Sequence, residues 1–369
     1  MPYGTVNADT LVTSTSGGIL GAGNASIMKN RIINGAMVID QRNAGASTTS
    51  ATNGGYTLDR WATQNNSGAS RFTVQRNAGS ITPPAGFSNY LGCTSTGSYT
   101  VGSGDAIGMI QRIEGYNIAD LGWGAAGAKT VTLSVWVYSS LTGTFGGSLF
   151  NGNGNYSYPF TYTISSANTW QQISVTITGA TSSSWSNDNS TGLNVLFALG
   201  TGSSLSGTAG SWSANGYYGA TGQTQWVATN GATFYITGVQ LEVGSSATGF
   251  EYVNYQTSLA NCQRYYWKNA VTEAFGWFGL GTCTSSTNAR IGIALCQTMR
   301  TTPTLYAGGA TRVYDGGTAV GATSFTINNN SLVYPQLDVV TSSGLTLGRA
   351  AFLGANNNAA TYLAFDAEL

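Results

Sequence analysis

Val131-Thr132-Leu133-Ser134-Val135-Trp136-Val137-Tyr138 sets Val, Leu, Val and Val on odd positions and Thr, Ser, Trp and Tyr on even ones. Successive side chains of a strand point to opposite faces, so this period of two describes a strand with one apolar face. The pattern recurs with Ile173, Val175 and Ile177 against Gln172, Ser174 and Thr176, and again with Leu193, Val195, Phe197 and Leu199. Sustained helical periodicity is nearly absent, so the expected fold class is all-β, with these three strands in one sandwich core. Gly-, Ser- and Asn-rich intervals at 143–155, 181–192 and 200–222 read as surface loops. Near 234–243 the parity changes: Phe234 and Ile236 lie on one phase, Val239, Leu241 and Val243 on the other. A β-bulge at Thr237-Gly238 accounts for this, and so does burial of both faces of the strand.

Working outward, the segment 257–266 is the one place where a short helix is credible, with Thr257 or Ser258 as N-cap. From Phe275 strand character resumes, through 290–296, 304–314, 332–340, 345–353 and 360–368, with turn tips at Asp315-Gly316-Gly317 and Asn328-Asn329-Asn330. Residues 1–30 differ in kind. They are Gly-, Ser-, Thr- and Ala-rich with isolated Leu11, Val12, Ile19 and Leu20, too little apolar surface to order a segment alone. Three regions follow: a segment at 1–30, a β-sandwich at 31–255 and a smaller C-terminal β domain at 256–369, itself expected to be a sandwich.

Composition narrows the chemistry. The chain has 369 residues, of which 8% are charged, with 14 basic and 14 acidic residues, net charge zero and no histidine; an average soluble domain is about 25% charged. Without a net field there is nothing to draw in a nucleic-acid backbone or an anionic membrane surface. Lack of histidine removes the usual neutral-pH base, the Ser-His and Cys-His pairs and the commonest zinc ligand. A carboxylate-pair glycosidase survives as a possibility, because it needs only two facing acids. Its candidates are Asp40, Asp59, Asp105, Glu114, Asp120, Asp188, Glu242, Glu251, Asp315 and Asp338, read here as structural groups, so no enzyme, cofactor or metal is expected. The four cysteines have no C-x-x-C spacing and read as buried thiols. No stretch holds 18 uninterrupted apolar residues, and residues 1–20 lack the pattern of a secretory signal, so neither membrane insertion nor secretory export is expected.

Two further stretches carry a family likeness. One runs Asn30-Arg31-Ile32-Ile33-Asn34-Gly35, through Asp40-Gln41-Arg42, to Tyr56-Thr57-Leu58-Asp59-Arg60-Trp61; the other runs Gly238-Val239-Gln240-Leu241-Glu242-Val243-Gly244, then Phe250-Glu251 and Cys262-Gln263-Arg264-Tyr265-Tyr266. Together they resemble bacteriophage tail-fibre and related virion adhesin proteins, over roughly residues 30 to 369. The resemblance implies a jelly-roll sandwich like a carbohydrate-binding module, a β domain after it, and a fibrous homotrimer. It implies a virion protein that recognises host cell-surface glycan or polysaccharide, or else a structural head, neck or collar fibre with no receptor role. Residues 1–30 would then attach to other phage tail, neck or capsid proteins, with Leu11, Val12, Ile19 and Leu20 as anchors.

Sugars are bound without ions, by aromatic rings against pyranose faces and by amides and hydroxyls on the sugar hydroxyls. Trp123, Tyr138, Tyr156, Tyr158, Trp185, Trp212, Tyr217 and Tyr218 lie in or beside the expected loops or on an open strand face, and are the candidate glycan contacts. Trp61, Trp136 and Trp170 are expected to be structural, since large aromatics also fill sandwich cores.

Overall fold

The computed structural model describes residues 28–50 and 53–369, together with the backbone of a small hairpin, β1 (Leu11–Val12) against β2 (Ile19–Leu20). The side chains of Leu11, Val12, Ile19 and Leu20, and so their expected anchoring role, lie outside the described residues. Two units divide the chain, residues 1–254 and 255–369.

The first unit continues with β3 (Thr48–Thr49), β4 (Tyr56–Leu58), β5 (Trp61–Asn65), β6 (Phe72–Arg76), β7 (Leu91–Ser95), β8 (Ala106–Glu114), β9 (Val131–Ser139) and β10 (Gly143–Asn151). It is completed by β11 (Ser157–Ile164), β12 (Gln171–Ile177), β13 (Thr191–Thr201), a short parallel pair β14 (Ser206–Gly207) and β15 (Gly219–Ala220), and β16 (Thr233–Val243). Two six-stranded antiparallel sheets result, ordered β11-β10-β13-β8-β5-β4 and β12-β9-β16-β7-β6-β3. The chain passes repeatedly from one sheet to the other, which is the course of a jelly roll. Val131, Leu133, Val135 and Val137 from one sheet and Leu193, Val195, Phe197 and Leu199 from the other are buried in one core, and Phe145 stacks on Phe234 across it at 5.8 Å.

Both explanations of the parity change hold. Register shifts between Thr237 and Gln240, Gly238 takes a φ of +60°, and both faces of the strand are buried around it. The interval 143–155 is corrected: it opens with a nine-residue strand, Gly143–Asn151, instead of a loop. Its glycines reflect crowding, since a Cβ on Gly147 would stand 2.2 Å from the Leu196 carbonyl oxygen and 2.4 Å from the Phe160 ring.

The opening and closing stretches run beside each other and hold the sandwich shut. Asn30 accepts from the amides of Ile32 and Leu241 through Oδ1 (2.9 and 3.0 Å) and donates through Nδ2 to the Val239 carbonyl at 3.1 Å. The Arg31 amide donates to Leu241 O at 2.9 Å, and the Val239 amide to Gly35 O at 3.0 Å. Glu251 accepts from the amides of Asn30, at 2.8 Å, and Met28. Deeper in, Asn34, in the left-handed region that asparagine tolerates, exchanges hydrogen bonds with Ile39 and accepts the Trp61 indole N–H on its carbonyl at 3.2 Å.

The second unit has a helix α1 (Tyr255–Gln263), which starts two residues before the expected cap. There follow β17 (Tyr266–Ala270), β18 (Trp277–Cys283), β19 (Asn288–Gly292), β20 (Thr304–Gly308), β21 (Thr311–Tyr314), β22 (Ala319–Asn329), β23 (Gln336–Thr341), β24 (Ala350–Ala355) and β25 (Tyr362–Asp366). The expected second sandwich is a closed barrel instead, β18-β19-β23-β22-β21-β24, with a three-stranded sheet β17-β25-β20. Closure follows from β24, which pairs with β18 on one edge and β21 on the other. It needs strands that approach closely: a Cβ on Gly281 would stand 1.8 Å from the Arg290 carbonyl oxygen, and one on Gly279 2.4 Å from that of Gly292. Ile291, Val313, Leu337, Val339 and Leu353 fill the interior.

Candidate functional site

The inward parity of β8 and β13 leaves their alternate residues on the outer face of the first sheet. Ile110, Leu196, Phe150 and Ala62 make a small apolar floor there, with Tyr56 and Tyr218 packed against it. Above it lies a groove of about 250 Å³, lined by Asn53, Gln64, Arg112, Phe150, Asn194 and Tyr218 among others, with the glycine-rich turn Gly152-Asn153-Gly154 at one edge. Phe150 and Tyr218 meet with centroids 4.9 Å apart and planes tilted by 53°. Arg112 is fixed over Tyr56, its guanidinium carbon 5.9 Å from the ring centroid and its Nη1 3.4 Å from the hydroxyl. Asn194 spends one donor on the Asn151 carbonyl at 3.1 Å, and Asn53 accepts from the Asn65 amide at 3.0 Å. This arrangement offers ring faces, amides and one guanidinium; among the described residues no carboxylate lines the groove.

Of the expected sugar contacts, Tyr218 lies in this groove. Trp123, Trp185, Trp212, Tyr156 and Tyr158 form a separate aromatic cluster that packs onto the main core. Trp212 stacks on Tyr156 at 5.4 Å and 9°, and meets Trp123 and Trp185 edge-on at 5.4 and 5.6 Å. The indole N–H groups of Trp123, Trp185 and Trp212 all donate to backbone carbonyls, of Lys129, Ser182 and Thr178. Trp123 and Tyr158 are buried, so their loop-side placement is corrected to the core; burial also raises the Tyr158 phenol above its ordinary pKa. Tyr217 lies over Gly207, where an added Cβ would come within 2.2 Å of the ring. Tyr138 faces away from the groove, on the outer side of the second sheet, stacked on Tyr235 at 5.2 Å and beside Trp170. Trp61 is fully buried, Trp170 donates to Thr82 O, and Trp136 packs beside Gly238.

Sequence reading missed Gln64, Arg112, Phe150 and Asn194. The signal was present in Leu193-Asn194-Val195-Leu196, where an apolar residue shares the outward parity with an amide.

The acids are held by local hydrogen bonds. Asp40 accepts from the Asn43 and Gly45 amides, Asp59 from the Gln41 amide and side chain, Asp105 from Tyr99 and Gly102, and Glu242 from Thr248 and Gln240. Asp315 accepts from the amides of Thr318, Gly317 and Thr346; the Thr318 bond leads in holding its carboxyl down to about 2. Ionisation of Asp315 therefore favours the fold. Its contribution is complete above the unfolded value of about 4 and is lost as pH falls through about 2. The second unit is expected to lose stability over that window, and Asp315→Asn to be less stable at neutral pH with a flatter acid profile. Denaturant unfolding at a series of pH values reads this directly, and an unchanged profile in the variant would refute it. Among the described residues no group of three His, Cys, Asp or Glu is placed to hold a metal, and no helix is long and apolar enough to cross a membrane. Cys93, Cys262 and Cys283 are buried, whereas Cys296 is exposed.

No protein-family model matches the chain, and no curated protein matches it. Similar solved structures include a candidate sugar binding protein from Bacteroides thetaiotaomicron, at 13% identity over 58% of this chain and 100% of that one, with a TM-score of 0.32. The enzymatically active domain of tailspike protein 4 from bacteriophage CBA120 aligns at 14% identity, over 53% of this chain and 21% of its own, with a TM-score of 0.29. The N-terminal cellulose-binding domain of β-1,4-glucanase C from Cellulomonas fimi aligns at 11% identity, over 56% and 99%, with a TM-score of 0.27. At such scores the alignments assign the chain neither a family nor a function.

Proposed function

We propose that the protein is a non-enzymatic virion fibre protein, a tail fibre or receptor-binding protein, that holds a host cell-surface glycan in the groove over Phe150 and Tyr218. The observation that carries the sugar reading is the make-up of that groove: two aromatic rings at its floor, the amides of Gln64, Asn53 and Asn194 and the Arg112 guanidinium around them, and no acid among the described residues. Rings take up the C–H face of a pyranose, and the amides together with the Arg112 guanidinium, held on Tyr56, answer its hydroxyls. The fibre reading rests on the opening and closing stretches and their resemblance to virion adhesins. With it go attachment through residues 1–30 and a homotrimer, which would cover sheet edges that a chain this poor in lysine does little to protect.

A second reading, a structural fibre with no receptor, is favoured by the modest size of the groove and by the internal packing of the Trp123–Trp185–Trp212 cluster. A glycan array with the intact protein and with Tyr218→Ala separates the two. Binding is expected, with a loss of about tenfold in the variant, equivalent to ~1.4 kcal/mol. No array signal together with no competition for host adsorption would leave the structural fibre. Release of reducing sugar would overturn the non-enzymatic reading, and a light-scattering mass of a single 38.2 kDa protomer would overturn the trimer.

A further inference from the structure

The outside of the barrel carries an aromatic patch that the groove does not use. Phe275, Trp277 at the start of β18 and Phe352 on β24 are 47%, 48% and 38% exposed. Trp277 lies 5.7 Å from Phe352 and 6.3 Å from Tyr314, centroid to centroid. Arg312 of β21 stands among these rings, its guanidinium carbon 4.5 Å from the Phe275 centroid and 5.5 Å from that of Trp277. Its Nε is buried with no hydrogen-bond partner, and among the described residues its guanidinium meets no carboxylate. Its neighbours in the unit differ: Arg290 is paired with Asp338 at 2.8 Å, Arg300 donates to the Ala367 and Glu368 carbonyls, and Arg349 approaches Asp315.

Register accounts for the exposure. Both cross-strand neighbours of Arg312 are glycines, Gly354 on β24 and Gly321 on β22. The Trp277 ring covers Gly354, where its Cε3 would be 2.6 Å from an added Cβ. Over Gly321 the space is open: the nearest atom to an added Cβ would be Asn356 Nδ2 at 4.0 Å.

We propose that this patch binds a carboxylate-bearing sugar of the uronic-acid class, with the pyranose face on the exposed rings and the carboxylate on Arg312. A guanidinium presents its donors as a fork that matches a carboxylate at two points, and such bonds are the strong ones. Stacked on rings and partly dehydrated, it gains more from an anion than a fully solvated cation would. Aromatic rings held on strands take an apolar sugar face with little loss of side-chain freedom. The opening over Gly321 admits the substituent that carries the acid. An acidic peptide would supply the charge but no flat apolar face to match the rings.

The test titrates the full-length protein with oligogalacturonate and with the same oligomer methyl-esterified, by calorimetry. The acid form is expected to bind, the ester to bind at least tenfold more weakly, and added salt to weaken only the acid form. Arg312→Gln should lower the affinity for the acid form to that for the ester. Gly321→Val, which fills the open space at a strand position of ordinary φ, should act likewise with the guanidinium left in place. Equal binding of the two oligomers, no binding of the acid form, or indifference to both variants overturns the proposal. Equal affinity for polyglutamate overturns it too, as does dissociation of protomers on Arg312→Gln, which would make the patch a contact between copies. A neutral glycan in the groove is unaffected by esterification, so failure here leaves that reading standing.

Discussion

Gly35→Ala is expected to cost the sandwich unit more than about 4 kcal/mol, among the largest effects a single methyl group can have. The added Cβ would stand 2.1 Å from the Val239 carbonyl oxygen, an obstacle made of backbone. Val239 is fixed from several sides. Its carbonyl accepts from Asn30, its amide donates to Gly35 itself, and it adjoins the bulge at Gly238. Relief requires moving one strand off the other, which leaves buried amides without acceptors, each worth about 1–3 kcal/mol. For a unit of this size the change corresponds to a drop in melting temperature of roughly 10 °C or more. Calorimetry on the intact protein measures it, and a shift of less than a couple of degrees would show that the contact can relax.

Trp61→Ala should be comparably severe, at about 3–5 kcal/mol. Trp61 is wholly buried, its ring 6.3 Å from Phe197 of β13, and its N–H satisfies the Asn34 carbonyl. Trp61→Phe separates the two contributions. It keeps most of the packing and removes one of the two hydrogen bonds to the carbonyl, to which the Met37 amide still donates at 3.1 Å, so a loss of about 0.5–1.5 kcal/mol is expected. If both variants unfold at the same denaturant concentration, volume is not what the indole supplies.

The strands of the sandwich that could be read in advance were those whose alternation is clean. Val131 to Tyr138 shows it because its apolar residues face the core and its even positions do not, and Leu193, Val195, Phe197 and Leu199 keep the core phase although the other face of their strand, with Leu196, is buried as well. Where a neighbour instead of solvent dictates the residue, the code breaks. Gly146 and Gly147 look like loop residues, yet they sit in β10 because Gln223 and Phe160 occupy the room that side chains would need. The barrel was hidden for a related reason: β22, Ala-Val-Gly-Ala-Thr-Ser-Phe-Thr-Ile-Asn-Asn, is exposed or half-buried along its length and so lacks a strong apolar phase. The groove residues were illegible as a set, since Gln64, Arg112, Phe150 and Asn194 come from four strands that only sheet order brings together. By contrast, the tryptophans placed in loops were conspicuous by type and turned inward, each N–H taken up by a carbonyl that composition does not reveal.

The juxtaposition of residues 28–35 with 239–251 bears on mechanics. Tension along the chain enters the sandwich at Met28 and leaves it at Glu251, and those two residues are joined directly through the Glu251 carboxylate. A pull between them loads this short bridge first and then the Asn30 and Arg31 bonds behind it, before the Ile33–Gln111 bonds that lead to β8 and the groove. The Glu251 bridge is therefore the first element to give way under load, ahead of the strands that carry the groove.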